Sequence, residues 1–319
     1  MGMRIRRHGR WVLALPLIVA VACSSVDAPT PTAARSSPAE AALAASSTAR
    51  IAGPAHIVVI ALENHEYGDI VGAAAAPYLN GLAARSVLLS RGYAVGHPSL
   101  PNYLSLTGGS TFGVTTDCAS CSVSRRNLVD QLAAHHLSWK AYMQGMPRPC
   151  FTGTYAGRGL HLYAKRHDPF LYFDDIRNRP ARCARVVPLG QLHHDLQHTL
   201  PRFAWITPDL CFDMHSCSVR TGDAWLHAWV PAIVRHLGPT GILVIVFDEG
   251  STDARCCSLP AGGGHVMALI AGPGARRGVQ VQRATDHYSI LRLIDDAWGL
   301  SRLGHAADAR TPTIWGWKP

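Results

Sequence analysis

Carboxylate, amide and imidazole side chains follow several apolar segments of the sequence, at the point where each segment ends. They are Glu63 and Asn64 after HIVVIAL, Asp213 and His215 after FAWIT, and Asp248 and Glu249 after ILVIVF. His265 stands between a glycine run and another apolar segment. One acid at a strand end is more often a helix cap or a surface group, but recurrence after separate segments indicates a divalent metal site. The sequence leaves the ion open among Ca²⁺, Mg²⁺, Mn²⁺ and Zn²⁺, since zinc also accepts imidazole.

Ser99, in the segment GHPSLPNYLSLTGG, is a second candidate for chemistry. Pro101 favours the first turn of a helix, and the paired glycines favour its end. The Ser99 hydroxyl is therefore expected at a helix N-terminus, where free N–H groups and the helix dipole stabilise a phosphate dianion. A neighbouring metal ion would also help to ionise the hydroxyl. From this segment alone, the commoner use of such a serine is as an N-cap.

These residues need a scaffold that brings remote segments together, and the hydrophobic pattern predicts one. The expected strands are HIVVIAL, SVLLSRGYAV, WKAYM, FAWIT, ILVIVF and HVMALIA, and the expected helices are APYLNGLAARS, NLVDQLAAHH, DAWLHAWVPAIVRHL and HYSILRLIDDAWGL. Alternation of strands and helices predicts an α/β fold with a mostly parallel central sheet sandwiched by helices. Ligands of such sheets gather at the carboxyl ends of the strands. Residues 145–185 are expected to form a loop-like insertion over the site.

The N-terminus has the features of an export signal. Four arginines among the first ten residues precede a short apolar stretch that ends in small residues before Cys23. We expect a signal peptide over residues 1–22, a disordered tether rich in Ala, Ser, Thr and Pro over 23–53, and a folded domain over 54–319. VAVAC also resembles a bacterial lipobox, in which Cys23 would be lipidated and would anchor the chain to a membrane surface. An ordinary secretory signal that releases the chain is the alternative.

The odd number of cysteines, nine, favours lipidation of Cys23 over an ordinary secretory signal. Without Cys23 an even set remains, at positions 118, 121, 150, 183, 211, 217, 256 and 257, which suits disulfides in an oxidising compartment. The pairing is open. A zinc site at Cys118 and Cys121 is the weaker alternative, because no second pair follows at the usual spacing.

The net charge of +9 includes the four arginines near the N-terminus and is otherwise spread along the chain. No basic run or RNA-binding motif occurs, so we do not expect a nucleic acid partner. A modest positive surplus favours anionic substrates.

Several segments in a fixed order resemble a known family. They are ALENHEYGDIVG, APYLNGLA, HPSLPNYLSLTGG, YAKRHDPFLYF, ITPDLCFDMHSC, GDAWL, VIVFDEG and GGGHVMALIAGPG. Over about residues 55–315 the chain is similar to the bacterial phosphoesterase family of the alkaline phosphatase-like superfamily, which holds secreted acid phosphatases and phospholipases C. The similarity is greatest to the small secreted acid phosphatases, including ones that act on phosphoinositides. It implies an alkaline phosphatase-like fold for residues 54–319, and we expect a monomer.

The resemblance implies a role for each candidate residue. The catalytic group would be Ser99 as nucleophile, His215 as leaving-group acid and Asn102 as donor to a phosphoryl oxygen. The substrate-binding group would be Lys165, His167, Asp213 and His265, and the metal ligands would be Glu63, Asn64, Asp248 and Glu249. Glu249 stands where members with two zinc ions carry histidine, so a second tightly held zinc is not expected.

The implied function is that of an exported, metal-dependent phosphatase acting on phosphomonoesters, with phosphoinositides among the candidate substrates. It would proceed through a phosphoryl intermediate on Ser99. A phospholipase C that uses the same nucleophile on a phospholipid diester is the alternative. A non-catalytic lipoprotein that binds metal or phosphate is a third reading, against which the presence of Ser99, Glu63 and Asp248 argues.

Overall fold

The structure, a computed structural model, describes residues 53–308 and 310–314 of the 319-residue chain. The expected signal peptide, the lipidation site at Cys23 and almost all of the expected tether lie outside the described residues, so they stay predictions. Within the described part of the chain, no helix combines the length and the apolar character needed to cross a membrane.

The elements alternate as the hydrophobic pattern predicts. The strands are β1 (Ile57–Leu62), β2 (Val87–Tyr93), β3 (Trp139–Met143), β4 (Tyr155–Arg158), β5 (His161–Ala164), β6 (Val186–Pro188), β7 (Phe203–Thr207), β8 (Ile242–Phe247), β9 (His265–Ala271), β10 (Val279–Val281) and β11 (Thr285–Asp286). The helices are α1 (Tyr67–Ile70), α2 (Pro77–Ala84), α3 (Ser99–Gly108), α4 (Leu128–Ala134), α5 (Asp174–Arg177), α6 (Pro180–Cys183), α7 (Gln191–Gln197), α8 (Val219–His236) and α9 (His287–Trp298). Short 3₁₀ turns span Lys165–His167, Pro169–Tyr172 and Gly304–Ala307.

One large sheet contains all of these strands except β4 and β5, which form a separate hairpin. The strand order is β10-β2-β9-β8-β1-β7-β3-β6, and β11 pairs with β2. Within the large sheet, all strand pairs are parallel except those of β9, which runs antiparallel to both β2 and β8. The carboxyl ends of β1, β7 and β8 therefore share one edge of the sheet with the amino end of β9. We call this edge the catalytic edge, and the predicted α/β class is confirmed.

The sheet is buried on both faces, which explains why its central strands read as continuous apolar runs. Every residue of β1 and of β8 is buried. Successive side chains of β1 enter opposite apolar layers. Val59 belongs to the layer that contains Leu100 of α3, and Ile60 belongs to the layer that contains Leu226 of α8. Each such side chain contributes about 1.5–3 kcal/mol on burial, so the central strands are rigid supports for the residues that follow them.

The segment 145–185 is more ordered than the loop that its sequence predicts. It contains the β4–β5 hairpin, two 3₁₀ turns and the helices α5 and α6. The difference arises because its order comes from tertiary contacts, including the Cys150–Cys183 disulfide and a hydrogen bond from Cys150 N to Val186 O of 2.9 Å. The other six cysteines of the described residues form the pairs 118–121, 211–217 and 256–257. The expectation of disulfides is confirmed, and Cys118 and Cys121 are bonded to each other.

Candidate functional site

The Ser99 hydroxyl lies at the start of α3, between two carboxylates that follow different strands. Its Oγ is 2.9 Å from Glu63 Oε2 and 3.2 Å from Glu249 Oε1. Ser99 is 3% exposed, and all of α3 is buried. The backbone N–H of Leu100, in the first turn, donates to Asp117 Oδ1 at 3.0 Å, so one free donor of the helix start is already satisfied. The structure thus brings the predicted nucleophile to two of the predicted metal ligands.

Glu63 also belongs to a buried triad with His167 and Asp213. His167 Nδ1 and Asp213 Oδ2 are 3.2 Å apart and hydrogen-bonded. His167 Nε2 is 3.2 Å from Glu63 Oε1, but without hydrogen-bond geometry, so this nitrogen has no hydrogen-bond partner among the described residues. One ligand-type atom from each side chain lies within 4.8 Å of the others. The three residues offer a set of O and N donors that a divalent ion can use.

Backbone pairing fixes the positions of these acids. Parallel pairing of β1 with β8 ends in a hydrogen bond from Asp248 N to Leu62 O of 2.9 Å, which places Asp248 next to Glu63. Glu63 N donates to Asp213 O at 2.9 Å and ties the end of β1 to the loop after β7. Asn64 N donates to Asp248 Oδ1 at 3.1 Å. Asp248 Oδ2 is buried and has no partner among the described residues.

Four carboxyl groups in this small volume repel one another. Burial, with the charge of Asp213 next in importance, holds the pKa of Glu63 well above its usual range. Burial and then the charge of Glu63 do the same to the pKa of Asp248. Burial likewise raises the pKa values of Asp213 and Glu249. Either protons or a cation must offset this repulsion, and the unpartnered Asp248 oxygen and His167 nitrogen are what a bound cation would satisfy.

Glu249 has a partner that the sequence did not single out. His97 Nδ1 contacts Glu249 Oε2, and His97 Nε2 lies 3.1 Å from Thr252 O. Burial works to lower the pKa of His97, but the hydrogen bonds with the Thr252 carbonyl and the Glu249 carboxylate outweigh it and raise the pKa. Tyr103 is a second partner of the acids that the sequence did not single out, since its hydroxyl donates to Glu63 Oε1 at 2.5 Å.

Arg166 is the main charged residue near the cluster that sequence reasoning missed. Its Nη2 lies 3.1 Å from His215 Nε2, and its Nε lies 3.5 Å from Asp117 Oδ2. The His215 backbone N–H donates to Asp213 Oδ1 at 2.8 Å, which places the imidazole beside the triad. Burial and then the Arg166 charge lower the pKa of His215. The signal was present in YAKRH, because arginine binds phosphate with a bidentate fork that lysine lacks.

Lys165 and His265 make their contacts away from this cluster. Lys165 Nζ donates to Ala119 O at 2.7 Å and lies 4.6 Å from the centre of the Tyr172 ring. The His265 imidazole stacks on Tyr67 with a centroid distance of 4.4 Å, and its Nε2 lies 3.0 Å from Ser90 O. Both side chains therefore have structural partners in the described chain.

Asn102 holds the loop that leads into α3. Its Nδ2 donates to Gly96 O at 2.7 Å and to Pro98 O at 3.2 Å, and its Oδ1 accepts from Val95 N at 3.0 Å. The side chain is fully buried. These three bonds use both functions of the amide, so the structure directs it to the backbone before Ser99.

Comparisons with known proteins show the family to which the chain is similar. The profile of the phosphoesterase family matches residues 73–301. An acid phosphatase of Aspergillus fumigatus is 28% identical over 253 residues, which are 76% of this chain and 54% of the relative. A phosphatidylinositol-3-phosphatase of Mycobacterium tuberculosis is 28% identical over 265 residues, 82% of this chain and 83% of the relative. The chain thus spans about half the length of the Aspergillus protein and most of the mycobacterial one.

A solved structure supports the fold. A member of the alkaline phosphatase superfamily from Vibrio parahaemolyticus aligns with a TM-score of 0.53 at 13% identity, over 82% of this chain and 72% of that one. Both the expected fold and the resemblance of the ordered segments are confirmed. Because the family profile covers most of the described residues, this chain belongs to the phosphoesterase family.

Proposed function

We propose that this protein is an exported, metal-dependent phosphatase that hydrolyses phosphomonoesters through a phosphoryl intermediate on Ser99. The observation that carries the proposal is the Ser99 hydroxyl at the N-terminus of α3, 2.9 Å from Glu63 in a buried cluster of carboxylates. Family membership supports hydrolysis of phosphoric esters. The name of the mycobacterial relative makes phosphoinositides the first lipid substrates to test.

The metal would be held by the cluster itself. Glu63, His167 and Asp213 are the ligands that the geometry favours first, and Asp248 and Glu249 lie on the Ser99 side of Glu63. We therefore propose His167 and Asp213 as metal ligands, whereas the resemblance implied that they bind substrate. When bound, a divalent ion would offset the repulsion among the acids and stabilise negative charge on the phosphoryl oxygens.

Ser99 is positioned to attack phosphorus and to lose its proton. Its Oγ lies 2.9 Å from Glu63 Oε2 and 3.2 Å from Glu249 Oε1, so a carboxylate is in place to accept the proton. As the Oγ–P bond forms, the ester P–O bond breaks and the alcohol leaves. Water then attacks the phosphoserine, which releases phosphate and returns a proton to Ser99.

Arg166 and His215 serve the phosphoryl group and the leaving oxygen. The Arg166 guanidinium would bind phosphoryl oxygens by charge-assisted hydrogen bonds, and partial burial keeps those bonds strong. His215 would donate a proton to the leaving oxygen. Because burial and Arg166 lower the pKa of His215, its proton is present only at acidic pH, so we expect turnover to be fastest below neutral pH.

We further propose that the protein acts outside the cytoplasm, either released or held by a lipid at Cys23. Four disulfides among the described residues support an oxidising compartment.

The test compares Ser99→Ala with Ser105→Ala, which lies in the same buried helix and bonds to Pro101 O. We expect Ser99→Ala to abolish phosphate release from p-nitrophenyl phosphate, and Ser105→Ala to retain most of it. A chelator should stop the parent enzyme until metal is restored, because the acids would then be left without a counter-ion. The rate should rise as pH falls below neutral.

Full turnover by Ser99→Ala would remove the proposed nucleophile, and activity unaffected by chelator would remove the metal. The same assay on whole phospholipid separates the two ester classes. Diacylglycerol as product would identify a phospholipase C, whereas inorganic phosphate identifies a phosphomonoesterase.

A further inference from the structure

A cavity of about 590 Å³ lies at the edge of the sheet opposite Ser99, which we call the basic cavity. It is formed by the residues after β9, the residues before β2, one side of α2 and the last turns of α8. Since β9 starts at the catalytic edge and ends at Ala271, a strand of seven residues, roughly 20 Å from end to end, separates the two sites. The basic cavity is therefore too far from Ser99 to form part of the same substrate pocket.

Four arginines surround the basic cavity: Arg85, Arg235, Arg276 and Arg277. All four are exposed, and none has a carboxylate within ion-pair distance among the described residues. The described lining contains no acidic residue. Asp223 lies nearby, but its two oxygens accept from the backbone N–H groups of Tyr78 and Leu79. Four uncompensated guanidinium groups around one opening favour an anion, above all a phosphate.

The floor of the basic cavity is apolar. Leu82, Val230 and Ala271 line it and are buried. A simple inorganic anion would leave this surface uncovered, whereas an anion attached to an apolar group covers both parts of the site. Anionic amphiphiles fit this combination of rim and floor.

The described chain begins at the same corner of the molecule. Ala55 N donates to Thr240 Oγ1 at 2.9 Å, and Gly274 N, next to the lining residue Ala275, donates to Gly241 O at 3.0 Å. The first described residues, 53–55, therefore lie next to the basic cavity and remote from Ser99.

We propose that the basic cavity is a docking site for the headgroup of an anionic phospholipid in a bilayer. The four guanidinium groups contact the phosphate, and the apolar floor receives the first carbons beyond it. Docking in this way turns the catalytic edge away from that bilayer, so the substrates are soluble esters or lipids of a different surface. This inference goes beyond the phosphatase activity and does not depend on it.

The described part of the chain offers a matched pair for the experiment, because it contains two exposed pairs of adjacent arginines: Arg276–Arg277 at the basic cavity and Arg125–Arg126 before α4. The exported full chain with Cys23→Ser, which cannot be lipidated, is sedimented with phosphatidylcholine vesicles with and without phosphatidylglycerol. We expect binding only to the anionic vesicles. R276Q/R277Q should weaken it about 30-fold, the loss expected for two basic groups at an anionic surface, and R125Q/R126Q should change it little.

Two competition experiments distinguish binding of a phospholipid headgroup from binding of free phosphate. Monomeric short-chain phosphatidylglycerol should compete with the vesicles, and inorganic phosphate at the same concentration should not. Circular dichroism and melting temperature check the folding of each variant independently of activity. Equal losses for both arginine pairs, no binding of the parent to anionic vesicles, or binding of inorganic phosphate alone would each overturn the proposal.

Discussion

The chemistry of the site depends on a few side chains whose charges are not balanced within the protein. Glu63 connects the two halves of the cluster, because one of its oxygens faces Ser99 and the other faces His167 and Tyr103. Arg166 contacts His215 beside this set, and its charge works against burial to lower the pKa values of Glu63 and Asp213. A phosphate ester that enters the site would bring further negative charge, so Arg166 is the natural partner for it.

Substitution of Arg166 should therefore reduce catalysis more than stability. We expect Arg166→Gln to lower kcat/KM for p-nitrophenyl phosphate about 100-fold, the loss of a pair of charge-assisted hydrogen bonds. Arg166→Lys should recover part of this, since it restores charge but not the planar fork. The control is Arg158→Gln at the exposed end of the β4–β5 hairpin. Equal kcat/KM for Arg166→Gln and the parent would show that Arg166 does not bind the phosphoryl group.

The sequence predicts the acids of the cluster well and the cations poorly. Glu63 and Asp248 follow long apolar runs, and parallel strands bring such positions together, so their proximity follows from the pattern. Lys165, Arg166 and His167 lie in one 3₁₀ turn, and their directions depend on packing against α3 that no local pattern encodes. For this reason the prediction selected Lys165 and passed over Arg166.

At the level of elements, the position of Ser99 depends on how the loop before α3 is held. Asn102 bonds to three backbone groups of that loop, at Val95, Gly96 and Pro98. Asn80 does the same for the loop before α2, where it donates to the carbonyls of Ile70, Ala73 and Ala76. Both asparagines thus hold the loop before a helix, but only the loop held by Asn102 leads to Ser99.

This similarity provides a test of positioning. Asn102→Ala and Asn80→Ala should each destabilise the fold by about 2–3 kcal/mol, as expected for the loss of several hydrogen bonds. Only Asn102→Ala should also lower kcat, by about 100-fold, because it releases the loop that orients Ser99. Urea unfolding and kcat for p-nitrophenyl phosphate separate the two effects. An unchanged kcat in folded Asn102→Ala would show that α3 holds Ser99 without this loop.

The elements themselves could be predicted from apolar periodicity, but the direction of β9 was not. A strand that follows β8 in a parallel sheet needs a crossover, normally a helix. Residues 248–264 have no helical pattern and contain three consecutive glycines, which was the available signal for an antiparallel connection. The order within 145–185 could not be found in this way, because its short elements depend on partners elsewhere in the chain.

At the scale of the whole molecule, the Cys150–Cys183 disulfide closes the longest loop among the four described disulfides. It closes the insertion that carries Arg166 and His167, and its two cysteines are 33 positions apart in the sequence. The other three join cysteines that are 3, 6 and 1 residues apart. Since a disulfide acts mainly on the unfolded chain, longer loops are expected to give greater stabilisation.

Removal of Cys150–Cys183 by paired serine substitutions should lower the free energy of unfolding by about 3–4 kcal/mol. The matched control is the Cys256–Cys257 pair, which closes no loop of comparable length and should cost much less. Urea unfolding without reductant measures both. Equal losses would mean that local strain, and not the length of the closed loop, determines what these bonds contribute.

The segment that connects β8 to β9 is a place where the substrate selectivity of the protein could be altered. Glu66 fixes the two ends of that connection, since its carboxylate accepts from the N–H groups of Ser251, Thr252 and His265. The residues between these anchors carry no strand or helix of the sheet, so insertions or deletions there would leave the scaffold intact. Grafted segments of other lengths at positions 254–261 would reshape the cavity that His97 and residues 257–261 line, and would leave Ser99 in place.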